Sequence, residues 1–224
     1  MSISGLFLLV VAAIIGWWLF ARQLTAKPWE QKQSEADDQY GGGASLALGP
    51  ARVGLWLFLG VITSFFGLFM SAYRMRMMVP DWSPLAEPNL LWLNTVMLIL
   101  SSVAFQWTRG AAERGAADSV KAGLGAAGLF AMAFLAGQLL AWQQLNASGQ
   151  YLTSNPAIAF FYLLTGLHGL HLLGGLSVWG RTTARMWRGG SPLGEIRLSV
   201  ELCTVYWHYL LLVWLALFGL LLIT

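Results

Sequence analysis

Apolar residues occur in six long runs along the chain, separated by shorter polar segments. Runs of about 18 or more apolar residues with few charges are typical of transmembrane helices, because a helix rises 1.5 Å per residue and the hydrocarbon core is about 30 Å thick. We therefore predict an all-α fold, an integral membrane helical bundle of six transmembrane helices. The predicted spans are Ile3–Phe20, Val53–Tyr73, Leu90–Trp107, Ala122–Trp142, Ile158–Trp179 and Val200–Ile223.

The longest polar stretch, "QKQSEADDQYGGG" at residues 31–43, separates the first run from the other five. Its Gly, Asp and Ser content and its few apolar residues are typical of a linker. The first run has basic residues after it rather than before it, which favours a retained anchor over a cleaved signal peptide. We predict an N-terminal anchor helix at 1–22, a cytoplasmic linker at 23–50 and a five-helix core at 51–224.

Composition and charge agree with a membrane bundle. The chain is 57% hydrophobic and only 10% charged, too little charge for the surface of a soluble domain of 224 residues. Of the 13 Lys and Arg residues, only Arg74 and Arg76 fall on one side of the predicted bundle, and the remainder fall in loops on the other. By the positive-inside rule, these basic loops are cytoplasmic and both termini lie outside. The net charge of +3 therefore reports orientation and gives no reason to expect a nucleic-acid partner.

All three histidines lie inside predicted spans, where polar groups are costly and need partners. His168 and His171 are spaced i, i+3 on the fifth span, and Glu201, Thr204 and His208 line one face of the sixth. His171 and His208 are each eight residues, or about 12 Å, from the inner end of a span. Because consecutive helices tend to be neighbours, we predict that the five residues form one interhelical polar layer.

Three interpretations of this polar layer are open. We favour hydrogen bonding between helices at a close contact provided by Gly166, Gly169, Gly174 and Gly175. A metal or haem site is the second, although histidines at i, i+3 cannot supply the two opposite axial ligands of one haem. A proton path is the third, since an intramembrane histidine near a carboxylate can move protons. The single cysteine, Cys203, excludes an internal disulfide and a cysteine-based zinc site.

Four segments resemble subunit III of the haem–copper oxidases, the cytochrome c oxidase subunit 3 family. "FFYLLTGLHGLHLLGG" at 160–175 and "VELCTVYWHYLLLVWL" at 200–215 carry the family's histidine motifs. "LNTVMLILSSVAFQW" at 93–107 is similar to its Asn-Thr…Ser-Ser helix, and "GLWLFLGVITSFFGLFMSAY" at 54–73 to the helix that opens its five-helix core. The resemblance covers the chain from Val53 to its end, in the family's order and spacing.

The resemblance implies a non-catalytic subunit of a proton-pumping cytochrome c or quinol oxidase, which reduces oxygen to water in the bacterial inner membrane. It implies no cofactor and no metal in this chain, because the family's haem and copper belong to subunits I and II. This chain would pack on subunit I, bind phospholipid and support proton uptake. The matching positions for lipid contacts are Trp29, Glu35 and Arg185.

Two positions depart from the family's pattern. The family usually has a carboxylate where this chain has Ile62, and an aspartate where it has Leu211. Because the buried carboxylate is linked to proton behaviour in the family, the departure favours a structural role over direct proton handling. Two other functions stay open: an accessory subunit of a nitric oxide reductase, which shares the five-helix core, and a free-standing membrane transporter.

Overall fold

Five long helices make up the part of the chain that the computed structural model describes, residues 50–83, 89–151, 155–188 and 193–223. Each contains an apolar stretch long enough to cross a membrane. The prediction of an all-helical membrane bundle is confirmed for these residues, whereas the first predicted span and the linker lie outside them. The helices are α1 (Pro50–Arg76), α2 (Leu90–Glu113), α3 (Ala117–Ala147), α4 (Pro156–Arg188) and α5 (Leu193–Leu222).

The helices are longer than the apolar runs that predicted them. Helix α4 continues nine residues beyond Trp179, and α5 begins seven residues before Val200, so only residues 189–192 separate the two. The additional turns of α4 are polar and include Arg185 and Arg188, which a helix tolerates once it leaves the hydrocarbon and which complement its C-terminal dipole. The predicted spans are therefore the apolar parts of longer helices, whose polar turns continue beyond the predicted inner ends.

The core of the bundle is formed by α2 to α5, and α1 lies at its edge. Helix α2 packs against α3 and α5, α4 packs against α3 and α5, and α1 contacts only α4 and α5 among the described elements. In the apolar window of α1, 17% of the residues are buried, compared with 39–44% in the other four helices. Most of the apolar window of α1 is consequently left without a helical neighbour in the described part.

The closest helix approaches use glycines on α3 rather than the glycines predicted on the fifth span. A Cβ at Gly137 would clash with the side chain of Asn94, and one at Gly128 would clash with the indole of Trp179. On α4, only Gly175 is so closely covered, by the rings of Tyr206 and Trp207. Small residues at these points allow α3 to approach both α2 and α4, as in other membrane bundles.

Candidate functional site

His168 lies on the face of α4 that points into the bundle and is fully buried. Three aromatic rings surround the imidazole: its centroid is 5.3 Å from the ring of Trp214, 5.8 Å from Phe134 and 6.5 Å from Phe66. Neither ring nitrogen has a hydrogen-bond partner among the described residues. His168 therefore acts here as an aromatic packing element that joins α1, α3, α4 and α5.

His171 lies one turn further along α4 and is half-buried. Its Nδ1 is 2.7 Å from the carbonyl oxygen of Leu167, so this nitrogen carries the proton and donates to its own helix. The ring packs 5.4 Å from that of Phe66 on α1. The hydroxyl of Tyr206 on α5 donates to the backbone carbonyl of His171 at 3.0 Å, so the contact between α4 and α5 runs through the backbone at this position.

Glu201 and Thr204 connect α5 to two other helices. Glu201 accepts a hydrogen bond of 2.9 Å from the guanidinium of Arg52 at the start of α1, which completes an ion pair. The hydroxyl of Thr204 is buried and lies within hydrogen-bond distance of the carbonyl oxygens of Phe105 on α2, at 3.2 Å, and of Val200, at 2.8 Å. These contacts fix α5 against the beginning of α1 and the second half of α2.

His208 lies on the outer surface of the described bundle, between α5 and α2, and is exposed. Its Nδ1 is 2.9 Å from the carbonyl oxygen of Thr204 and 3.3 Å from the hydroxyl of Ser102 on α2. Helix α5 extends 15 residues before His208 and 14 after it, so the ring lies near the middle of the helix.

The five predicted residues do not share hydrogen bonds between their side chains in the described part of the molecule. Their partners are distributed over α1, α2 and the backbone of their own helices, so the predicted layer consists of separate contacts. Whether they function together stays a prediction. Across the described ranges, no group of three or more His, Cys, Asp or Glu side chains is placed to hold a metal ion.

Tryptophan side chains supply interhelical hydrogen bonds that the sequence reasoning missed. The indole nitrogens of Trp142, Trp179 and Trp214 donate to Thr165, to the carbonyl of Leu124 and to Thr95, respectively. In each case the bond joins two different helices at 2.9–3.1 Å. A tryptophan in an apolar helix, with a glycine or a threonine facing it, could have indicated such a bond. Tryptophan is also common at the ends of spans, where it lies at the membrane interface, so the sequence does not distinguish the two roles.

An apolar cavity of about 380 Å³ lies between α1, α4 and α5. Two of its lining residues, Ala51 and Leu202, are the sequence neighbours of the ion-paired Arg52 and Glu201. Cys203, which is buried, also lines this space. Its lining consists of Ala51, Leu55, Phe58, Gly174, Gly175, Val178, Leu202, Cys203, Tyr206 and Trp207.

Comparison with known proteins identifies the family to which this arrangement belongs. The family model described as "Cytochrome c oxidase subunit III" matches residues 24–223, nearly the whole chain. This chain belongs to the cytochrome c oxidase subunit III family. Among its relatives is cytochrome c oxidase subunit 3 of Synechocystis, which is 32% identical over 173 residues that cover 74% of this chain and 72% of the relative.

Two further relatives agree with this assignment. The probable cytochrome c oxidase subunit 3 of Mycobacterium leprae is 31% identical, over 69% of this chain and 77% of its own length. Cytochrome c oxidase subunit 3 of Thermostichus vulcanus is 29% identical, over 75% of this chain and 85% of its own. The resemblance found in the four sequence motifs is confirmed. The chain is a non-catalytic, integral membrane subunit of a terminal oxidase in respiratory electron transport.

The two positions at which the sequence was expected to depart from the family's pattern lie on different helices, α1 and α5. Ile62 is buried in the core of the bundle on α1, whereas Leu211 is half-buried and lies beside His208. Of the lipid-binding candidates, Arg185 is exposed in the last turn of α4. Trp29 and Glu35 lie outside the described residues.

Proposed function

We propose that this subunit III packs against subunits I and II of a haem–copper oxidase, which hold the haem and copper and reduce oxygen to water. The match to the family over residues 24–223 is the observation that supports the proposal most directly. Within the described ranges the residues do not fit a haem or copper site, because His168 is enclosed by aromatic rings and no three His, Cys, Asp or Glu side chains lie together to hold a metal ion. The redox centres are accordingly assigned to the partner subunits.

Purification of the tagged chain in mild detergent tests this proposal. We expect haem-bearing subunits to accompany it, and a reduced-minus-oxidised spectrum to show their haem bands. Oxygen consumption by the purified complex, with no nitric oxide consumption, separates an oxidase from a nitric oxide reductase. A chain that purifies alone, folded and without haem, would contradict the proposal and favour a free-standing transporter.

We also propose that the cavity between α1, α4 and α5 holds a phospholipid acyl chain. Its lining is apolar, and the exposed basic side chain of Arg185 lies in the last turn of α4, one of the helices that form the cavity, where an anionic head group can be bound on charge. Any proton-uptake support would be indirect, since Ile62 and Leu211 replace the family's carboxylates. Such support is tested by comparing proton pumping in complexes with and without the chain.

Filling the cavity tests the lipid proposal. At Gly174, a Cβ would meet nothing within 4 Å, so a Gly174→Leu side chain has room to enter the cavity that it lines. Gly180 on the same helix is equally open but does not line the cavity, which makes Gly180→Leu a matched control. We expect the phosphorus content of the purified complex to fall only for Gly174→Leu. Equal lipid content in both variants would contradict this assignment.

The orientation of the chain is a further part of the proposal. In the described part, Arg109, Arg114 and Lys121 lie around the connection between α2 and α3, whereas Arg74 and Arg76 are near the end of α1. These ends are opposite in an alternating bundle, which supports cytoplasmic basic loops and outside termini. A periplasm-dependent reporter fused to the C-terminus is expected to be active, and an inactive fusion would reverse the orientation.

A further inference from the structure

The outer surface of α2 and α5 carries polar groups at the depth of the bilayer interior. His208 lies about 20 Å from either end of α5, since 15 residues precede it in the helix and 14 follow it. Ser102, with which its Nδ1 is in contact, is likewise near the middle of α2. Gln106, one turn along α2, is exposed and makes no hydrogen bond within the described ranges. Lipid tails surround this depth in a bilayer, and they offer no hydrogen bonds.

The geometry of His208 leaves one strong acceptor directed at that surface. A carbonyl oxygen can only accept, so the contact of 2.9 Å with Thr204 assigns the proton to Nδ1. In the neutral ring, Nε2 is then an acceptor. Nε2 has no partner among the described residues, and the side chain is exposed. An acceptor left in hydrocarbon is costly, so its partner is expected outside this part of the chain.

Two grooves meet at His208 and give this surface a shape. One, of about 530 Å³, has apolar walls that include Val103 and Leu211, with Ser102 and Gln106 in it. The other, of about 340 Å³, continues past His208 to Trp56 on α1. Together they form a trough with apolar sides, and the polar atoms of His208 and Gln106 lie within it.

We propose that this trough is the docking site for a transmembrane helix of the haem-bearing partner subunit, and that this helix donates a hydrogen bond to His208 Nε2. The donor would be a hydroxyl, amide or indole group at mid-membrane depth. A phospholipid is a poor occupant, because its polar atoms lie at the interface and its acyl chains cannot donate. A helix supplies both an apolar surface for the walls and a polar group for Nε2. The inference rests on the proposed function, since it requires an oxidase partner.

Cross-linking in membranes that contain the complete complex tests the docking site. Benzoylphenylalanine replaces Val103, which lies in the trough and is 59% exposed. As a control, it replaces Leu129 on α3, which is 67% exposed and lines neither groove. We expect an adduct with the haem-bearing subunit from position 103 and little from position 129. Three outcomes would overturn the docking site. They are an adduct with residues 1–22 of this chain, an adduct with lipid alone, and equal yields at both positions.

The role of His208 itself is tested by its retention in the complex. We expect His208→Leu to dissociate from the haem-bearing subunits about threefold faster in detergent, whereas His208→Gln, which keeps an acceptor, stays close to the parent. Helix content by circular dichroism establishes that both variants are folded. Retention of His208→Leu at the parent's rate would overturn the hydrogen bond.

The unsubstituted complex separates failure of this inference from failure of the proposed function. If its spectrum shows co-purified haem and only the cross-link or the His208 result fails, the docking site is wrong and the oxidase assignment stands. If no haem-bearing subunit accompanies the unsubstituted chain, the proposed function fails and the docking site with it.

Discussion

His168 and His208 have the same side chain in two helices of one bundle, but their surroundings are opposite. His168 is fully buried among the rings of Phe66, Phe134 and Trp214 and has no hydrogen bond in the described part. His208 is exposed and uses Nδ1 in hydrogen bonding, while Nε2 has no partner in the described part. Burial of a histidine in this bundle therefore does not indicate that its ring nitrogens make hydrogen bonds. The first fills space, and the second presents an acceptor.

The difference follows from what each face of the helix meets. An interior position in a membrane bundle is surrounded by packed side chains, and a ring there contributes mostly shape. A position on the outer surface meets either lipid or another subunit, and a polar group is tolerated there only when something satisfies it. The predictions below test this contrast, beginning with the interior.

The largest effect is expected from removing the ring that packs against both His168 and Phe134. Trp214→Ala leaves a cavity where a fully buried indole lay and removes the donor to Thr95, so we expect the free energy of unfolding to fall by about 3–5 kcal/mol. Unfolding of the full chain in mild detergent with increasing SDS measures this change. The neighbouring Leu215 is 45% exposed, and Leu215→Ala serves as the control. Similar losses for both variants would show that the aromatic cluster is not the stabilising centre.

A smaller loss is expected where α3 approaches α2. Gly137→Ala places a Cβ against the buried side chain of Asn94, so the helices must separate or Asn94 must lose its contact with Gln138. We expect the free energy of unfolding to fall by about 1–3 kcal/mol, as for overpacking in other cores. Gly125 on the same helix has open space around it, and Gly125→Ala should change stability little. An equal loss in Gly125→Ala would attribute the effect to the helix backbone rather than to packing.

The two histidines can be compared directly by the same substitution. His168→Leu removes a buried ring whose nitrogens are unsatisfied, so we expect a change in unfolding free energy of less than about 1 kcal/mol. His208→Leu removes the hydrogen bonds of Nδ1 and should cost the chain about 0.6 kcal/mol, with the additional loss of affinity for the partner subunit. If His168→Leu instead cost well over 1.5 kcal/mol, the buried imidazole would contribute more than shape to the fold, and the contrast between the two histidines would collapse.

Sequence patterns predicted the helices well and the partners of the polar residues poorly. Long apolar runs located all five described helices, because hydrophobic length is a direct physical requirement of spanning a bilayer. The helix ends were missed at α4 and α5, since polar turns continue as helix outside the hydrocarbon. Spacing placed Glu201, Thr204 and His208 on one side of a helix, but it could not tell which neighbouring helix each would contact.

The same limit applies to the tryptophans. The sequence marks Trp142 and Trp179 as ends of apolar runs, which is also where interfacial residues occur. Their indoles donate to Thr165 and to the carbonyl of Leu124. The choice between lipid interface and interhelical contact depends on how the helices rotate about their axes, which depends on packing across the whole bundle.

The smallest effect is expected at the Arg76–Asp81 pair after α1, where water is available and a partner is already present. Arg76 donates two hydrogen bonds to the Asp81 carboxylate, and these bonds hold the pKa of Asp81 below its ordinary value of 3.8. A lowered pKa means that the pair stabilises the fold above about pH 4 and that this contribution is lost as the pH falls through the folded-state pKa.

Asp81→Asn should therefore lower stability slightly at pH 7 and flatten its acid dependence below about pH 4. The free energy of unfolding of the parent and of Asp81→Asn is measured between pH 7 and pH 3. Parallel curves would show that the Arg76–Asp81 pair does not contribute to the acid dependence of stability. Unlike His208, whose acceptor has no water at its depth, Asp81 can exchange Arg76 for solvent, and for that reason its loss should be mild.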